Sequence, residues 1–187
     1  GAALTNGAEQ ITGEAGTFTV NLGASAAGNA TGLLAGTLTV VDSGTAVTDS
    51  LVVKNTTANT TTNLRLDVFG TASLTSTGYE NVTIDTGTAL GGNVRQDVGT
   101  LTITPDAAGA AISASFTGGN SIDVATSLTS TTTGALTIDA SGMTAQASGT
   151  TTFDVAAVSL GVGGTITATG SAGDDAFGAA GGALGNF

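Results

Sequence analysis

Residues 170–178, Gly170-Ser171-Ala172-Gly173-Asp174-Asp175-Ala176-Phe177-Gly178, carry the most specific chemical signal in the chain. They follow the nonapeptide G-G-x-G-x-D-x-U-x and depart from it at Ser171. In that pattern the glycines allow a tight turn with inward carbonyls, Asp175 supplies a carboxylate, and Phe177 opens a short strand and packs inside. Carbonyl and carboxylate oxygens suit Ca²⁺, a hard cation that takes roughly six to eight of them. Gly170, Gly173, Asp174 and Asp175 are therefore the candidate calcium site. One turn supplies too few oxygens, so a second, stacked turn has to complete it. The next nine residues put Leu184 where that turn's Asp belongs, which leaves the site incomplete within this sequence. Asp42, Asp85 and Asp139 each close an alternating segment and are weaker metal candidates. Asp also favours turns, where its side chain bonds nearby backbone N–H groups.

Other chemistries are excluded by what is missing. The chain has no Cys and no His. That removes disulfides, zinc and haem sites, the Ser-His-Asp triad and a Cys nucleophile. Lys54, Arg65 and Arg95 are the only basic side chains, and the net charge is −11. Nucleic acid, which is bound through phosphate neutralisation, is not an expected partner. Tyr79-Glu80 could suggest catalysis, but a Glu flanking a strand reads as a solvated turn residue. Asn29, Asn55, Asn59 and Asn81 open N-x-[ST] sequons, which a Thr-rich chain produces by chance.

The elements that must carry these residues are strands. Thr, Ala, Gly and Ser make up 112 of 187 residues, and Thr and Gly are poor helix formers. Period-two alternation recurs instead. Phe18, Val20 and Leu22 alternate with polar residues, as do Leu64, Leu66 and Val68, and residues 100–104 read Thr-Leu-Thr-Ile-Thr. Similar segments lie at 37–41, 50–54, 81–84, 111–116, 121–124, 135–139, 151–155 and 164–169, with Gly, Asn, Asp and Ser turns between them. About ten to twelve short strands result. The thin supply of bulky core residues favours an all-β fold of stacked rungs, a parallel β-solenoid or β-roll, with a β-sandwich as the alternative. No apolar run approaches the roughly 20 residues of a membrane-spanning helix.

Residues 1–187 read as a single β-rich module. A T-G-x-A-G phrase occurs near both ends, at Thr12-Gly13-Glu14-Ala15-Gly16 and Thr169-Gly170-Ser171-Ala172-Gly173, which suggests a repeat or fragment of a larger secreted protein. Leu4-Thr5-Asn6-Gly7-Ala8-Glu9-Gln10-Ile11-Thr12-Gly13, Thr77-Gly78-Tyr79-Glu80-Asn81-Val82-Thr83-Ile84, Leu136-Thr137-Ile138-Asp139-Ala140-Ser141-Gly142 and the 166–177 segment resemble phrases of RTX-type bacterial surface-layer proteins. The resemblance implies a secreted, acidic, Cys-free protein exported by a type I system. It also implies assembly into an extracellular cell-surface lattice, often with calcium. This chain has one good nonapeptide where that family has a tandem run.

Three functions follow as expectations. The first is a structural module that self-assembles into an S-layer lattice or filament, its partner being itself and its cofactor calcium. The second is a binding module, either an adhesin repeat that meets a cell-surface glycan or a Thr-rich ice binder. T-x-T sets at Thr17/Thr19, Thr37/Thr39, Thr100/Thr102/Thr104 and Thr165/Thr167/Thr169 motivate the ice reading. Their unequal spacing argues against one flat array. The third is a polysaccharide-active enzyme; with three basic residues, no Trp and carboxylates dispersed along the chain, the expectation is no enzyme.

Overall fold

The computed structural model describes residues 8–13, 17–22, 37–42, 50–55, 73–87, 95–144, 152–179 and 182–185, and every regular element among them is a strand. In chain order these are β1 (Ala8–Gly13), β2 (Thr17–Leu22), β3 (Thr37–Asp42), β4 (Ser50–Asn55), β5 (Ser73–Thr77), β6 (Asn81–Asp85) and β7 (Arg95–Thr104). There follow β8 (Ile112–Gly118), β9 (Ser121–Ser130), β10 (Ala135–Met143), β11 (Phe153–Ser159), β12 (Thr165–Thr169), β13 (Ala176–Ala179) and β14 (Gly182–Gly185). The 64–68 segment expected to be a strand lies outside the described residues.

Odd-numbered strands and β14 form one sheet, in the order β1-β3-β5-β7-β9-β11-β13-β14. Even-numbered strands form the other, in the order β2-β4-β6-β8-β10-β12. The chain thus lays one strand in each sheet per coil. Neighbours are parallel throughout, apart from the antiparallel β13–β14 pair. This is the parallel β-solenoid, not the sandwich.

Parallel stacking turns each inward residue type into a column. In the odd sheet, Leu74, Leu101, Leu128 and Val158 stand in register, and so do Val98, Val124, Val155 and Phe177. In the even sheet the column runs Phe18, Leu51, Val82, Ala114, Ile138, Ala168. The two sheets meet where Phe116 of β8 packs on Phe153 of β11, with ring centroids 4.3 Å apart. Coil lengths differ: Leu74 pairs with Leu101 and Leu101 with Leu128, an equal step, but Thr37 pairs with Ser73 and Asp154 with Ala176. Register is held by the inward columns, and the length differences are absorbed between strands.

The corners are stapled by polar side chains. Asn120 donates its side-chain N–H to the Thr86 carbonyl at 2.7 Å, and Thr86 donates its hydroxyl to the Thr117 carbonyl at 3.0 Å. Gly118 turns the same corner at φ 102°, and a Cβ there would lie 2.8 Å from the Gly87 nitrogen. Only glycine fits both constraints. Among the described residues no helix is long and apolar enough to cross a membrane.

Candidate functional site

The residues singled out in the sequence do not converge. Asp42 ends β3 in the odd sheet, whereas Asp85 and Asp139 lie on β6 and β10 of the even sheet. Even these last two occupy different columns, because Asp85 pairs with Thr117 and Asp139 with Ser115. Asp85 accepts the Gly87 N–H at 2.8 Å. Asp139 accepts the Ser141 N–H at 2.9 Å and the Ser141 hydroxyl at 2.6 Å, and these bonds hold its carboxyl below the ordinary value of 3.8. These bonds are of the local kind that turn aspartates make.

The nonapeptide turn leads from β12 to β13 and ends as its pattern requires, with Phe177 buried and its ring 5.2 Å from that of Phe153. Asp174 is exposed and Asp175 is 4% exposed. The Oδ1 of Asp175 accepts the Phe153 N–H at 2.6 Å and the Ser171 hydroxyl at 2.6 Å, while Oδ2 accepts the Ser171 N–H at 2.7 Å. Gly170 packs so closely on this carboxylate that any Cβ would collide with it. Three of the carboxylate's roughly four lone-pair positions are thus taken by protein donors. Among the described residues, no group of three or more His, Cys, Asp or Glu is placed to hold a metal ion.

Glu80 corrects another expectation. It is not a solvated turn residue but is 1% exposed, beside a fully buried Tyr79. Its Oε1 accepts the Asp106 N–H at 2.8 Å and its carbonyl accepts the Ser113 N–H at 2.8 Å, so it ties successive coils together.

A cluster of charges among the described residues was not anticipated. Asp97, Asp123 and Asp154 stand in register on β7, β9 and β11, one strand spacing of about 4.8 Å apart. Arg95 reaches Asp97 at 2.8 Å and Asp123 at 3.3 Å. The signal was present as a recurring x-Asp-Val triplet, Gln96-Asp97-Val98, Ile122-Asp123-Val124 and Phe153-Asp154-Val155. Burial raises the Asp123 carboxyl above 3.8; Arg95 pulls it back, and Asp97 and Asp154 push it further up. Burial likewise raises Asp154, against a 3.0 Å bond from the Ala176 N–H, with Asp175 adding to the rise.

Both raised groups hold protons more tightly folded than unfolded. Stability therefore falls as pH rises from 3.8 through their folded values, and neutral pH carries the full cost. Asp139 runs the other way, contributing above 3.8 and losing that contribution as pH drops through its depressed value. Asp123→Asn should raise the melting temperature at neutral pH by about 1–3 °C after allowance for solvent screening. The gain should shrink and vanish as pH falls below 3.8, the ordinary carboxylate value. Thermal melts across pH check this.

The outer face of the odd sheet corrects the reading of the Thr spacing. Thr39, Thr75, Thr102 and Thr129 pair in register on four adjacent strands, and Thr77 pairs with Thr104. Two of the four T-x-T sets, 37/39 and 100/102/104, thus share one face, with Ser73, Thr75 and Thr77 ranked between them. The other two lie on β2 and β12, at opposite ends of the even sheet.

Those ends are open. Among the described residues β2 and β12 are each paired on one side only, and β13 has no counterpart in the even sheet. Phe18 on β2 and Ile166 and Ala168 on β12 are only partly buried, while the columns between them are closed to solvent. No family model matches the chain, and no curated protein or solved structure is significantly similar to it.

Proposed function

We propose that the chain is a structural module of a secreted cell-surface protein that works by self-assembly, not turnover, in the manner of the RTX-type surface-layer proteins its phrases resemble. The observation that carries this reading is the C-terminal end of the even sheet. Among the described residues strand β12 is paired on one side only, which leaves a parallel edge, and β13 extends the opposite sheet past it. A strand from a second copy, added to β12, completes the coil that β13 begins and covers Ile166 and Ala168. Such an edge is a hazard in a monomer and a joint in a polymer. Thr, Ala, Gly and Ser also lose little side-chain entropy on close packing. At a net charge of −11, copies repel, so salt should promote association. Sedimentation of the purified chain over a concentration series tests the reading: mass increasing with concentration supports it, and a monomer at all concentrations overturns it.

The in-register Thr face favours a second reading, a surface that orders water or ice. Hydroxyl and methyl groups repeat there along the strand and across β5, β7 and β9. Ice-recrystallisation inhibition by the monomer, lost in Thr102→Lys, is its expected result; wild-type inactivity removes it.

A further inference from the structure

The nonapeptide turn departs from its pattern at Ser171, and that residue makes two of the three bonds to the aspartate. The Ser171 hydroxyl donates to Asp175 Oδ1 at 2.6 Å and its amide donates to Oδ2 at 2.7 Å. The same Oγ accepts the Gly173 N–H at 3.1 Å, which closes the turn on itself. A glycine, which the pattern places here, has neither a hydroxyl to donate nor an oxygen for Gly173. The third donor is the Phe153 N–H at 2.6 Å, from the first residue of the neighbouring strand β11. Asp175 is thereby bound to its own turn and to the coil beneath it. Turning the carboxylate towards a cation would leave the Phe153 amide buried without its acceptor, a cost comparable to that of the bond itself.

We propose that this turn is a calcium-independent lock, in which the Ser171 hydroxyl and amide and the Phe153 amide hold the carboxylate by hydrogen bonds in place of a cation. The lock holds Phe177 against Phe153 and so fixes the last strand of the parallel run without a metal. This inference stands apart from the assembly reading: a protein that never associates can still have the lock, and an assembling one can lack it.

The test is thermal melting of the full chain, at concentrations too low for association. It compares millimolar calcium with a chelator, with sodium chloride matching ionic strength. Wild-type protein should melt at the same temperature in both. Ser171→Ala should melt about 3–8 °C lower in both, as expected for loss of a hydrogen bond to a charged acceptor. Asp175→Asn should fall as far or further, because its amide turns N–H groups towards N–H donors. If calcium raises the wild-type melting temperature and that rise disappears in Asp175→Asn, the carboxylate is a calcium ligand and the lock is wrong. Calorimetric titration with calcium chloride gives a readout independent of folding: no site-specific heat is expected, and saturable heat abolished by Asp175→Asn overturns the proposal.

Discussion

Phe153→Ala should lower the melting temperature of the chain by about 6–20 °C, from a loss of about 3–5 kcal/mol for a buried Phe. Phe153 is fully buried and stands at the junction of both sheets, between Phe116 of β8 and Phe177 of β13. The rest of the core is mostly aliphatic, with Ala114 and Ala140 among its smallest members. The cavity cannot collapse, because β11 is held in parallel register by β9 on one side and β13 on the other. In a solenoid each coil is supported only by its neighbours, so the damage concentrates in the C-terminal coils. Phe153→Leu should cost distinctly less, since most of the volume is kept. Circular-dichroism melts of the two variants check the order, and equal small losses would show that the aromatic junction does not hold the sheets together.

Ile166→Lys should weaken association by about 100-fold or more while leaving the monomer folded. Ile166 is only partly buried at the β12 edge, so a lysine there can carry its ammonium to water in the monomer. An added strand would close over that position and bury the charge unpaired. Inward-facing lysines block edge pairing for this reason. Thr102→Lys is the control: it puts the same charge on the outer face of the odd sheet, away from the edge, and should leave association unchanged. Sedimentation of the three proteins separates edge pairing from general charge repulsion.

Much of the fold was readable wherever alternation was carried by aliphatic residues. The segments at 37–41, 50–54, 81–84 and 135–139 all fall on strands. Strand β5 escaped because its second inward residue is Ser76, a buried serine in a column that also holds Ile103 and Ser130. The second half of β9 escaped similarly, with Leu128 as its one large apolar side chain. Sequence spacing could not show that the Thr sets at 37/39 and 100/102/104 share a face, because the coils differ in length while strand register is kept. Register belongs to the packed columns, and those are non-local.

The candidate site was harder to read, for a related reason. A nonapeptide match records residue types, but the destination of the Asp175 lone pairs depends on Ser171 and on an amide from β11. Glu80 looked like a surface residue because charge usually stays in water, yet Oε1 caps the Asp106 amide of a neighbouring coil. The Asp97–Asp123–Asp154 ladder was written as a repeated triplet, but only pairing of β7, β9 and β11 stacks the three carboxylates.

Assembly through the β12 edge is tested most directly by amide hydrogen exchange of the wild-type chain at low and high protein concentration. The proposal predicts that amides of Thr165–Thr169 gain protection as concentration rises, while interior strands such as β8 and β9 keep the protection they already have. Exchange at Thr165–Thr169 that stays the same across the series, in a sample that remains monomeric, would contradict it.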